Sequence, residues 1–214
     1  TIERGGSILI PAFAVDRTEV ILVQIRELME SGKIPRVPVY ADSPMALRAL
    51  AFYRQAINES SPEIRPEIVE TWKNKDPFST GTLVELTTVD ESKTSNDPQQ
   101  PCIIISASGM GTGGRVVHHL RNMLPKAKHT VILVGYQAIG TRGRNLVEGA
   151  SEVKMHGEMV PVRAEIESIQ SFSVHADGDE LIAWMKTQSV EPGQVLVVHG
   201  EAGVAETFSD RIKS

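Results

Sequence analysis

Short apolar runs recur along this chain, separated by longer stretches of mixed polarity. SILIP (7–11), VPVY (37–40), CIIIS (102–106), TVILVG (130–135) and VLVVH (195–199) are unbroken rather than alternating. Strands covered on both faces read this way. The stretches between them carry helical spacing and helix start signals. From Asp16 onward Ile21, Ile25, Leu28 and Met29 share one face, and Asp16 with Glu19 has the spacing of a capping box. Ser43-Pro44 opens a second helix, and Ser61-Pro62 repeats the device for a third reaching about Lys73. Further helices are expected over 114–124, after 140, over 179–186 and over 202–213. LVELTT reads as a strand between two turn-rich segments, NKDPFSTG and SNDPQQP, and VPVRAEIESI (160–169) alternates like one half-exposed strand. Strands alternating with helices predict an α/β fold with a mostly parallel sheet flanked by helices.

Composition narrows the partners more than the fold. The chain has 214 residues, 41% of them hydrophobic and 23% charged, as in an ordinary globular protein. Its net charge is −5, so a polyanion would have to be held by a local patch rather than by a global basic field. The single cysteine, Cys102, lies within an apolar run and reads as a buried thiol in a reducing compartment, which points to a cytoplasmic location. No apolar stretch is long enough for a membrane helix, no signal peptide is visible, and no membrane partner is expected. The chain opens TIERGG without an initiator methionine and reads as a fragment of a longer protein.

Candidate chemistry sits where apolar runs end. His175 lies in SFSVHADGDE and His199 closes VLVVHGE. In parallel sheets, ligand-binding groups gather at the carboxyl ends of strands. Taken singly, each is more often structural than functional. Asp177 with Glu180 reads first as a helix cap. Of the other histidines, the adjacent pair His118 and His119 point to a surface or capping role on a helix, His129 to an exposed turn, and His156 to a turn between strands. SASGMGTGGR (106–115) joins a strand to a helix start, a natural anion cradle, although no P-loop Gly-Lys-Ser/Thr follows. Arg17, Arg115, Arg142, Arg144 and Lys93 are basic residues that could supplement it.

GGSILIPAFAVDRTEV, YADSPMA, SASGMGTGGR, VGYQAIGTRGR, SFSVHADGDE and VLVVHGE occur in this order and span the chain. Together they resemble the β-CASP family of metallo-β-lactamase-fold nucleases that process RNA. The resemblance implies a β-CASP domain over 1–170 and, over 171–214, the C-terminal segment that returns to a metallo-β-lactamase fold, without that fold's N-terminal half. It implies a zinc-dependent ribonuclease acting on single-stranded RNA. His175 would transfer a proton, His199 would be one zinc ligand, and Ser108, Gly109 and Met110 would line the RNA groove; Gly113 of the same turn, Arg17 and Arg142 are the candidate phosphate contacts read from the residues themselves. The family's main metal motif and the acidic partner of the proton-transfer histidine are absent from this sequence. Two zinc ions are therefore expected in the full-length protein, and none tightly bound by these residues alone, with no cleavage by them alone. A homodimer is compatible with this reading. A non-catalytic RNA- or protein-binding subunit of the same fold, and a DNA-directed nuclease, are the rivals.

Overall fold

The computed structural model describes residues 1–172 and 175–213. They fall into two compact units that divide at the 173/174 junction.

In the first unit the strands are β1 (Ile8–Pro11), β2 (Val39–Asp42), β3 (Leu83–Glu85), β4 (Ile103–Ser106), β5 (Thr130–Val134) and β8 (Glu165–Ile169). They form one sheet in the order β3-β2-β4-β1-β5-β8, with every described pairing parallel. The helices are α1 (Arg17–Glu30), α2 (Pro44–Asn58), α3 (Pro66–Trp72), α4 (Val89–Thr94), α5 (Val116–Met123) and α6 (Arg142–Val147). A separate antiparallel hairpin joins β6 (Glu152–Met155) to β7 (Glu158–Pro161).

The unbroken apolar runs are explained by burial on two faces. In β4, Ile104 packs with Leu9, Val131, Leu133, Leu120 and Met123, whereas Ile103 and Ile105 pack with Ile10, Ile21, Leu22, Ile25 and Leu50. Neighbouring residues of one strand thus feed opposite cores, and each fully buried side chain contributes about 2 kcal/mol of hydrophobic stabilisation. The central position of β1, between β4 and β5, brings the loops after these three strands to one edge of the sheet.

Several boundaries differ from the sequence expectation, each for a local reason. β2 begins at Val39 rather than 37, because Pro38 has no N–H to donate and takes part only through its carbonyl, which accepts from the Ile103 amide. The third helix begins at Pro66, not at Ser61-Pro62. A helix begun at 62 would carry Pro66 in its interior, where the ring breaks the hydrogen-bond ladder. Asp16 does not cap α1: it adopts φ 64°, and its carboxylate instead accepts the Tyr53 hydroxyl. The alternating segment 160–169 is two strands, not one. Its first part pairs in the hairpin, and the amides of Arg163 and Ala164 then donate to the Leu124 carbonyl as the chain crosses to the sheet.

The second unit holds α7 (Gly178–Met185) and α8 (Ala202–Lys213). The predicted cap is present: Asp177 Oδ1 accepts from the amides of Asp179 and Glu180, each at 2.9 Å, and the Glu180 carboxylate accepts from the Asp177 amide. VLVVH is not a buried strand. Residues 195–199 lie outside any ladder, and Leu196 and Val198 are 74% and 77% exposed. No described residue of 175–213 is buried, as befits a segment too small to enclose a core.

Candidate functional site

The 106–115 turn lies at the carboxyl end of β4 and leads into α5. Four of its amides, those of Ser108, Gly111, Thr112 and Gly113, are bonded within the turn. Those of Thr112 and Gly113 donate to Ser108 Oγ at 3.1 and 3.4 Å, and the Gly111 amide donates to the Ser108 carbonyl. The Val116 amide at the start of α5 donates to the Ala107 carbonyl at 3.4 Å. The nest that a free anion would occupy is therefore filled by the hydroxyl of Ser108. Gly109 is buried against Phe13, while Ser108 and Met110 are half-buried and Gly113 is exposed. Gly114 must be glycine, with φ 79° and space for a Cβ blocked 2.7 Å away by the Ala107 carbonyl oxygen.

Arg142 and Arg115 are engaged by the fold. Arg142 donates from Nε to the Lys154 carbonyl at 2.7 Å and from Nη1 to the carbonyls of Gly111 and Thr112 at 2.9 and 3.1 Å. It braces the turn from behind and ties it to β6. Arg17 is buried at the start of α1, and its Nε and Nη1 make no hydrogen bond among the described residues. Arg115 donates to Asp42 and to the carbonyls of Leu86 and Thr87.

Asp42, at the end of β2, is wholly buried. Burial pushes its carboxyl up, but hydrogen bonds from His119, Ser92 and Arg115 outweigh burial and hold it below its ordinary 3.8. His119 is fully buried, so the surface or capping role expected for it does not hold. His129 is likewise buried rather than exposed, its Nδ1 accepting from the Ser7 amide at 2.9 Å. The spacing of polar residues around these histidines gave no sign of burial. The signal lay in helix periodicity: His119 shares the face of Val116, Leu120 and Met123. His118 remains exposed and stacks on His156 of the hairpin turn, with ring centroids 4.8 Å apart.

His175 and His199 both lie in the second unit and are both exposed. His199 takes a left-handed backbone, φ 64°, a conformation uncommon for a residue with a side chain. It lines an open, largely apolar groove of about 690 Å³ between α7, α8 and the segment 195–198. Ala176, the residue after His175, lines the same groove. One imidazole is one metal ligand, and a zinc site takes three or four protein ligands. Among the described residues no group of three or more His, Cys, Asp or Glu is gathered as a metal site. These residues do not by themselves fit a zinc ion.

Comparison with known proteins bears on both units. Residues 18–146 match the family model for the Beta-Casp domain, and residues 159–214 match that for the Zn-dependent metallo-hydrolase RNA specificity domain. An RNase J-like protein of Methanocaldococcus jannaschii is 40% identical over 209 residues, covering 98% of this chain and 46% of the relative. A ribonuclease of Thermus thermophilus is 36% identical over 201 residues, covering 94% and 44%. A transcription termination factor of Methanocaldococcus jannaschii is 32% identical over 218 residues, covering 100% and 34%. The chain thus spans less than half the length of each of these relatives.

Proposed function

Because this chain belongs to the β-CASP family of metallo-β-lactamase-fold proteins, we propose that it is the RNA-positioning part of an enzyme that hydrolyses phosphodiester bonds of single-stranded RNA. The observation carrying this reading is the groove of the second unit. A histidine in a left-handed backbone lines it, and the residue next to a second exposed histidine lines it too. Left-handed backbone at a residue with a side chain is over-represented at functional positions. The names of the relatives, ribonuclease and RNase J-like protein, support the substrate class.

Roles follow from the chemistry of each group. His175 gives up a proton to the leaving oxygen, a task suited to imidazole at neutral pH. His199 supplies one ligand to a zinc site completed by residues outside this chain, and zinc there would supply Lewis-acid chemistry. Ser108, Gly109, Met110 and Gly113 form a wall along the RNA backbone, with Arg17 as the candidate phosphate contact and Arg142 as a brace of the turn. In the full-length protein His175→Ala is expected to lower turnover and keep the zinc content, while His199→Ala is expected to lower both. Wild-type cleavage rates in both variants would overturn the assignment.

A further inference from the structure

The 106–115 turn is closed on itself through Ser108 Oγ, and its middle is braced by Arg142, by the Gly143 amide on the Met110 carbonyl and by Gln137 on the Gly109 carbonyl, while its two ends are held separately. Both ends are tied to one residue. At the entrance, Ser106 Oγ donates to the Asp42 carbonyl at 2.8 Å. At the exit, Arg115 Nη1 donates to Asp42 Oδ1 at 2.7 Å and to the Leu86 carbonyl at 3.0 Å. One turn along α5, His119 Nε2 lies 2.6 Å from Asp42 Oδ2, and Ser92 of α4 donates to the same oxygen at 2.6 Å. The Asp42 carboxylate, none of it exposed, thereby joins β2 to α4 and α5, while the Asp42 carbonyl ties β2 to the end of β4. A hub of charge-assisted hydrogen bonds in a dry site fixes geometry more strictly than apolar packing, because each bond is directional.

We propose that Asp42 is a positioning residue of the 106–115 turn, fixing its exit into α5 and through it the placement of Ser108–Met110 that an RNA backbone meets. This rests on the RNA-cleaving reading above. Asp42 touches no substrate itself, and it acts through Arg115 and His119. Asparagine at position 42 keeps the shape and can still accept at Oδ1. It loses the negative charge and presents an N–H₂ donor where His119 and Ser92 need an acceptor.

The test uses the full-length protein and two readouts. In Asp42→Asn, amide hydrogen exchange in the peptide spanning 106–115 is expected to quicken about tenfold, while peptides of β1 and β5 exchange as in the wild type. KM for a single-stranded RNA oligonucleotide is expected to rise about tenfold with kcat and zinc content unchanged. Arg115→Lys, which keeps the charge but not the fork, should reproduce both changes if Asp42→Asn does not fold. Unchanged exchange in 106–115 in whichever variant folds overturns the proposal. So does a fall in kcat with KM unaltered. If the wild-type protein does not cleave RNA, the functional reading fails, and the exchange experiment still decides the role of Asp42.

Discussion

His119 Nε2 donates to Asp42 Oδ2 across 2.6 Å, and neither side chain is reached by solvent. An ionised carboxylate only accepts, so this nitrogen carries the hydrogen. Nδ1 then faces the interior without a partner among the described residues. Such a pair is costly to break from one side, because the remaining charge stays buried. His119→Ala is expected to destabilise the chain by about 3 kcal/mol, combining a cavity with a weakened carboxylate site. His119→Gln, which can return a donor to Oδ2, should recover part of that loss. Urea denaturation midpoints of the two variants check the order, and equal midpoints would remove the hydrogen bond from the account.

The second buried imidazole makes the fold acid-sensitive. Burial holds the His129 pKa below its ordinary 6.5, with Lys128 and Lys126 adding to the effect. Its Nδ1 must stay unprotonated to accept from the Ser7 amide, a bond that fixes the start of β1. With a depressed folded-state pKa, the stabilisation is present above 6.5 and is lost as pH falls below it through the folded value. Stability measured by denaturant should therefore decline on moving from pH 7 to pH 5. His129→Asn, whose Oδ1 can accept from Ser7, should flatten that decline. A variant with the wild-type slope would place the acid sensitivity elsewhere.

Glu19 acts in the opposite direction. It is buried near the start of α1, and its carboxyl is pushed up from 4.5 to about 7, chiefly by burial, with the Asp16 charge adding to it. A raised folded-state pKa favours folding below 4.5, and that contribution is lost as pH rises through about 7. The shift amounts to about 3 kcal/mol at 1.4 kcal/mol per pH unit. Glu19→Gln should raise the melting temperature at pH 8 and change it little at pH 5. An equal shift at both values would show that ionisation of Glu19 is not responsible.

Most of the sheet was legible because strands buried on both faces leave unbroken apolar runs, as Ile103–Ile105 do. Ser43-Pro44 was legible because a cap and an N1 proline act within one turn, and Ser43 Oγ does accept from the Ala46 amide. The burial of His119 was marked by its helix face, but its pairing with Asp42, and that of His129 with Ser7, was not legible. Their partners lie 77 and 122 residues away in sequence, and no local pattern encodes a contact at that range. Arg142 shows the same limit in another form. A basic residue beside a glycine-rich turn suggests a phosphate contact, yet its donors go to backbone carbonyls that only the fold brings near. The segment 195–199 reads as a buried strand by composition, and its lack of ladder partners among the described residues leaves no trace in its own sequence.

Arg142 offers a way to separate a phosphate contact from a brace. Each phosphate neutralised by a basic side chain adds about 0.7 to the slope of log affinity against log salt for single-stranded nucleic acid. If Arg142 touched the backbone of RNA, Arg142→Ala would weaken binding and flatten that slope by about this amount. Its Nε and Nη1 are instead held by the carbonyls of Lys154, Gly111 and Thr112. Removing it frees the turn without removing an ion pair to RNA. Arg142→Ala in the full-length protein is therefore expected to weaken binding of a single-stranded oligonucleotide about tenfold at every salt concentration, with the slope unchanged. Fluorescence anisotropy titrations between low and physiological salt measure both quantities. A slope reduced by a full phosphate equivalent would make Arg142 a direct contact and overturn its role as a brace.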